Sequence, residues 1–204
     1  MLKVSYIVNS VYNSMTYILT EDGVDDVWIV DCGDVEALVN AIRGIRGDGF
    51  NIRGVLLTHG HYDHIYGLPK LTDLFPDLLV FTNAFGKKLL ASERLNMSRY
   101  HDDPINYQTE NVVECAEGDE IDLFEGIMAK VHHTPGHCPS CLTYEIDDYL
   151  FTGDAYIPGF KVLTTLRGSD KQLVAQSVER ILSMAEGKKI MSGHEVGLQT
   201  GCGL

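Results

Sequence analysis

The chain has 204 residues and an ordinary apolar content, the size of a single domain with a core of its own. Its formal net charge of -13 argues against a nucleic-acid partner, since such binding rests on Lys and Arg; here these are scattered, Lys87-Lys88 and Lys188-Lys189 being the tightest pairs. No leader pattern or membrane-length apolar run is present, and five cysteines, an odd number, suit a reducing compartment, so the expectation is a cytoplasmic protein with no membrane partner.

The opening is β in character. Residues 2–8, 15–20 and 27–32 are short runs rich in β-branched and aromatic residues, with turn-prone "NS" and "EDGVDD" between them. The period then lengthens to that of a helix over 34–46, with Val35, Leu38, Ile42 and Ile45 on one stripe and Asp34 as its N-cap. A strand over 52–59 runs into "THGHYDH". A short helix over 67–75, a buried strand over 78–82 and a helix over 83–93 come next. Residues 94–111 carry no clean period and are long enough to be a functional or mobile segment.

The second half returns to the same theme. Residues 127–134, 142–147 and 149–154 read as strands. The clearest helix spans 169–187, with Leu173, Val174, Val178, Ile181 and Leu182 on its apolar face and Gly187 as its stop. A last strand covers 188–194. Two β-rich layers with helices outside them make an α/β architecture.

Polar residues collect where these strands end. Asp31 ends "VWIVD", His59, His61, Asp63 and His64 follow "VLLT", His137 follows "VHHTPG", Asp154 ends "YLFTGD" and His194 ends "KIMSG". In an extended segment His59, His61 and Asp63 share one side, and a tight turn can bring His64 nearby. Imidazole and carboxylate suit zinc, iron and manganese. The first cluster can offer about two ligands to each of two ions, and His137, Asp154 and His194 are of the right type to complete them.

"THGHYDH", "HTPGHC", "FTGD", "SGHE" and the earlier "VDCG" together resemble, in order, the motifs of the metallo-β-lactamase superfamily in its glyoxalase II-like branch. The resemblance implies a four-layer αββα sandwich, two mixed sheets with outer helices, as one domain over 1–204. It implies one ion on His59, His61 and His137, a second on Asp63, His64 and His194, and Asp154 bridging them. Asp31 would fix a ligand loop or a histidine orientation. The implied cofactors are two divalent ions, zinc foremost, with iron or manganese also compatible. The implied activity is hydrolysis of a small thioester or ester through a metal-bridging hydroxide, with Asp63 orienting the nucleophile.

Several features depart from that branch. Only ten residues follow His194, so the glutathione-binding helical domain of full glyoxalase II enzymes is not expected. Substrate contacts are instead sought at Tyr156, Phe160 and Lys161 and at Tyr100, His101 and Tyr107, for each of which plain packing is the alternative. Aspartate at 154, where β-lactamases of the superfamily tend to carry Cys or Ser, argues against antibiotic hydrolysis. Cys138 and Cys141 form a C-x-x-C read as structural, His132 and His133 as supporting residues, and Cys32 and Cys115 as small buried residues. Two alternatives stay open: a persulfide-dioxygenase-like enzyme with one iron on His59, His137 and Asp154, and a phosphodiesterase or nuclease of the same superfamily.

Overall fold

Val27-Trp28-Ile29-Val30 is apolar at every position, and a strand of period two can then be satisfied only if both of its faces are covered. Val27 and Ile29 join one core cluster, while Trp28 and Val30 join another. The structure, a computed structural model, describes residues 1–195. The remaining residues, which include Cys202 and most of the segment after His194, lie outside the described residues.

The first sheet runs β1 (Leu2–Val8), β2 (Met15–Glu21), β3 (Asp26–Val30), β4 (Asn51–Leu56), β5 (Leu79–Thr82) and β6 (Val112–Glu114), in that spatial order. Its first three strands are antiparallel and β3 to β6 are parallel. The second sheet has the order β11 (Lys189–Ser192), β10 (Tyr149–Gly153), β9 (Leu142–Ile146), β8 (Ile127–His133) and β7 (Glu120–Phe124). Only its β10–β11 pair is parallel. Both sheets are therefore mixed, as expected. Between them lies a core of Tyr17, Leu19, Trp28, Val30, Leu56, Phe81, Tyr144 and Phe151 with their neighbours. Trp28 satisfies its indole N–H on the Leu123 carbonyl of the opposite sheet at 2.9 Å.

Helices cover the outer faces. α1 (Val35–Arg46), α2 (Tyr62–Ile65) and α3 (Leu68–Leu74) pack on the first sheet, and α4 (Ala84–Leu90) follows β5. α5 (Lys171–Met184) places Ile181 against Leu150 of the second. Among the described residues no helix is long and apolar enough to cross a membrane.

Several local expectations need correction. The buried stripe of α1 is Val35, Leu38, Val39 and Ile42, and Ile45 is exposed. Asp34 occupies the N-cap position without capping by its side chain; its carboxylate accepts instead from Ser10 and Tyr66. α5 turns Ser177 and Ile181 inward and leaves Leu173 and Leu182 exposed, and it ends at Met184, before Gly187. Strands β6 and β7 were not foreseen: β6 has three residues, and β7 alternates across acidic positions, so neither announces itself by composition. Residues 94–111 hold one 3-10 turn, Ser98–Tyr100, and no strand.

Candidate metal centre

Parallel neighbours end together, and here that rule assembles a site. Val30 of β3 pairs with Leu56 of β4, so Asp31 and the Thr58-His59 segment emerge side by side. On the second sheet Gly153 pairs with Ser192, which sets Asp154 beside His194. The β8–β9 connection carrying His137 leaves the same edge, because Phe151 of β10 lies opposite Tyr144 of β9. The two edges are joined where Leu142 N–H donates to the Thr58 carbonyl at 2.7 Å. α2 begins directly after His61 and turns His64 back toward His59, their ring centroids 4.2 Å apart.

All seven ligand-type residues meet at this junction. Single ligand atoms of His59, His61 and His137 lie within 4.8 Å of one another, as do those of His59, His64 and Asp154, and those of Asp63, His64 and His194. Asp154 lies between the groups: Oδ1 is 3.5 Å from His64 Nε2, and Oδ2 is 3.5 Å from His137 Nε2 and 3.4 Å from His194 Nε2. Asp63 Oδ2 is 3.3 Å from His194 Nε2 and 3.5 Å from His64 Nε2.

Four of the five imidazoles, all but His61, are aimed by what their other nitrogen touches. Asp31 Oδ2 accepts from His64 Nδ1 at 2.8 Å and from the Thr58 hydroxyl at 2.7 Å, while Oδ1 accepts from Thr58 N–H at 2.8 Å. With its own O–H directed at Asp31, the Thr58 oxygen accepts from His59 Nδ1 at 3.2 Å, which leaves His59 Nε2 without a proton. His137 Nδ1 donates to the Leu163 carbonyl at 3.3 Å, and His194 Nδ1 to the Tyr12 carbonyl at 2.9 Å. Asp31 therefore holds both the Thr58-His59 segment and the His64 ring.

Electrostatics divides the histidines. Burial, then the neighbouring His64 and His61, depresses His59 well below the usual imidazole value, and burial depresses His137. Burial also works against charge on His64 and His194, but carboxylates outweigh it. Asp63, Asp31 and Asp154 push His64 up to about 9, and hydrogen bonds to Asp154 and Asp63 push His194 up to about 11. Burial alone would raise Asp63 and Asp154, yet the surrounding histidines hold both below the ordinary carboxylate value.

These residues fit divalent ions. His59 Nε2, His64 Nε2 and Asp154 Oδ1 are buried, make no hydrogen bond within the protein, and belong to one group of converging ligand atoms. Buried polar atoms left unpaired are costly and call for a partner. Two nitrogens on one tetrahedral zinc stand about 3.3 Å apart, and His61 Nδ1 and His137 Nε2 are 3.0 Å apart. An all N/O donor set suits zinc, iron or manganese alike.

A cavity of about 370 Å³ opens onto His137, Asp154 and His194 and is walled by Tyr12, Ile157, Phe160, Lys161, Val162 and Leu163. Lys161 and Phe160 thus stand at the mouth. Tyr156 does not line it and packs beside Leu150 and Ile181 instead. Tyr100 is solvent-exposed and His101 stacks on Tyr62 at 3.8 Å, edge-on to Tyr12. Tyr107 is buried with its hydroxyl on Thr72, which is the packing alternative. His132 bonds Glu145 and Arg180 away from the site. Tyr12, Thr58 and Leu163 were missed, because Tyr12 and Leu163 act through main-chain carbonyls and Thr58 through a shared hydroxyl. The "NSVYNS" stretch around Tyr12 signals only a turn. A larger cavity of about 970 Å³ lies at the start of α1, where no metal-ligand cluster is found among the described residues.

A family model described as the metallo-beta-lactamase superfamily matches residues 10–194. Hydroxyacylglutathione hydrolase of Xylella fastidiosa (strain M12) is 30% identical over 170 residues, covering 83% of this chain and 55% of that protein. The chain thus spans about half the length of that relative. The crystal structure of BLEG-1 B3 metallo-beta-lactamase aligns with a TM-score of 0.83 at 27% identity, over 95% of this chain and 92% of that one. That of TTHA1623 in a di-iron-bound form aligns with a TM-score of 0.76 at 24% identity, over 95% and 93%.

Proposed function

The chain belongs to the metallo-β-lactamase superfamily, and from that premise we propose that it is a binuclear metallohydrolase cleaving a small thioester or ester. The observation that carries this reading is the position of Asp154, whose carboxylate faces His64, His137 and His194 at 3.4 to 3.5 Å. His59, His61 and His137 would hold one ion, Asp63, His64 and His194 the other, and Asp154 would face both. When bound, such ions supply a nucleophilic water at neutral pH and positive charge for a developing oxyanion.

The chain's own groups do the rest. Asp63 Oδ2, between His64 and His194, would orient that water as well as ligate. Asp31, Thr58, Leu163 and Tyr12 hold the imidazoles in orientation. Ile157, Phe160, Val162 and Leu163 offer an apolar wall to the substrate, and Lys161 a cation for an anionic group on it. A thiol of pKa about 8.5 leaves without a dedicated acid, which favours a thioester. The partner is a small molecule, and zinc is the first choice of ion, with iron or manganese compatible.

The likeness to BLEG-1 B3 metallo-beta-lactamase favours one competing substrate, a β-lactam amide. The test is metal content per chain by mass spectrometry on anaerobically purified, untagged protein. A rate panel follows with a hydroxyacylglutathione thioester, simple acyl thioesters, aryl esters and a chromogenic cephalosporin. Two ions per chain with thioester turnover lost in Asp154→Asn is the expected result. Cephalosporin turnover exceeding every thioester would move the assignment to β-lactams. One iron per chain with oxygen uptake on a persulfide would replace hydrolysis by oxidation.

A further inference from the structure

Among the described residues, the turn joining β1 to β2 hydrogen-bonds to ligands of one proposed ion and makes no hydrogen bond to His59, His61 or His137 of the other. We infer that residues 11–14 are a positioning element for the Asp63–His64–His194 group; the inference rests on the binuclear reading. Three kinds of contact carry it. The Tyr12 carbonyl accepts from His194 Nδ1 at 2.9 Å, which turns Nε2 toward Asp63 and Asp154. The main chain around His194 is stitched on both sides, Met15 N–H donating to the Gly193 carbonyl at 2.8 Å and Glu195 N–H to the Asn13 carbonyl at 3.1 Å. The buried Ser14 hydroxyl donates to the Asp63 carbonyl at 2.7 Å and accepts from Asn9 Nδ2 at 3.2 Å.

The backbone of the turn is unusual in a way that serves these contacts. Tyr12 and Asn13 both lie at φ 53, the left-handed region that a tyrosine rarely enters. Two successive left-handed residues at the centre of a tight turn commonly use Asn and Gly, and here Ser14 N–H closes that turn on the Val11 carbonyl at 3.1 Å within the longer β1–β2 connection. Strain of this kind persists only where surroundings hold it, and it gathers at functional sites. Here the surroundings are visible. Asn9 bridges Ser14, Thr16 and the start of α1 through Asp34 N–H at 3.0 Å, so the turn is anchored at its base. By contrast, His59 and His137 are oriented by Thr58 and Leu163, and Gly60 N–H is held by Ser140 at 3.1 Å. Loosening the turn should therefore weaken one ion selectively.

The experiment is a cobalt(II) titration of the metal-free protein, read by d–d absorption, with thermal unfolding of each metal-free variant alongside. Ser14→Ala loses the bond to Asp63, and Tyr12→Val places a β-branched residue where left-handed backbone is needed. Each is expected to weaken one cobalt step at least tenfold and leave the other within threefold. Tyr12→Gly keeps the backbone and the carbonyl and is expected to bind both ions as the wild type does. Equal weakening of both steps, or of neither, in Ser14→Ala and Tyr12→Val overturns the inference. A wild type that takes a single cobalt sinks the binuclear reading on its own. The positioning role then stands if Ser14→Ala loosens that ion tenfold and falls if it does not.

Discussion

Asp31 sits in left-handed backbone at φ 57 with both carboxylate oxygens engaged, accepting from two groups of Thr58 and one of His64. An amide in its place keeps one acceptor and turns an N–H₂ toward a donor. Asp31→Asn is expected to cost about 1.5–3 kcal/mol of stability, the worth of a hydrogen bond to a charged group. It should also lower metal affinity roughly 10–100-fold, the usual effect of removing a residue that orients a ligand. Urea unfolding and competition with a chromophoric chelator measure the two effects, and an unchanged affinity would remove Asp31 from the site. Protons separate the two ion sites at the same scale. His59 and His137, depressed, are neutral at pH 7, whereas His64 at about 9 and His194 at about 11 are protonated in the metal-free protein. Stability contributed by His64 and His194 is complete below the unfolded value near 6.5 and is lost as pH rises through about 9 and about 11. For His59 and His137 the sign reverses: the unfolded chain binds the extra protons, so stability falls as pH drops below about 6.5. Because ligands must be deprotonated, loading the His64–His194 site at pH 7 should release about two protons per chain. A weakly buffered indicator-dye titration counts them, and affinity for that ion should rise with pH most steeply below about 9, where both protons compete, and less steeply from there to about 11, where only that of His194 does.

Strand ends matter more than strand interiors at the scale of elements. Between β11 and His194 stands Gly193, where an added Cβ would lie 2.9 Å from His64 Cε1 and closer still to Asp154 Oδ1. Neither neighbour is free to swing away, since His64 is held by Asp31 and Asp154 is packed among histidines. Gly193→Ala is expected to cost about 1–3 kcal/mol by overpacking and to reduce bound metal below the wild-type content. Metal analysis beside a thermal melt checks this; full metal content at wild-type stability would show the edge to be more pliant than its contacts imply. α5 teaches a different lesson about elements. Its apolar positions allowed more than one inward stripe, and the sheet selected the one through Ser177 and Ile181, where the Ser177 hydroxyl donates to the Pro135 carbonyl at 2.6 Å. A helix's existence follows from its period, but its rotation follows from what it lands on.

The whole molecule is two sheets closed around one shared core, and the site lies along their common edge. Phe151 fills that core, fully buried against Tyr17 at 5.3 Å between ring centroids. Phe151→Ala should cost about 3–5 kcal/mol by transfer and cavity terms, seen in urea as a lower midpoint. Since Asp154 follows three residues later, the variant should also bind metal less tightly. Metal itself should stabilise the fold, because the ligands come from separate segments that only the native state unites. One site at a free-ion concentration 100 times Kd adds about 2.7 kcal/mol. Chelation is therefore expected to lower the melting temperature, and an unchanged melt would argue that the site takes no ion in the native state.

Much was legible in the residues alone. Period two and period 3.6 located most strands and helices, and the resemblance of five ordered motifs at strand ends implied the superfamily and its sandwich. What the sequence could not decide was anything set between segments. The short β6 and the partly acidic β7 are strands because their neighbours pair with them, the stripe of α5 is chosen by the sheet beneath it, and Tyr107 is packed in the core where a substrate contact was the other reading. Tyr12, Thr58 and Leu163 reach the site largely through a carbonyl or a relayed hydroxyl, and backbone carbonyls are the same in every residue. Sequence therefore determined which atoms could hold a metal; only the tertiary structure decided which backbone atoms would aim them, since every chain carries those groups and only folding brings particular ones within hydrogen-bond reach.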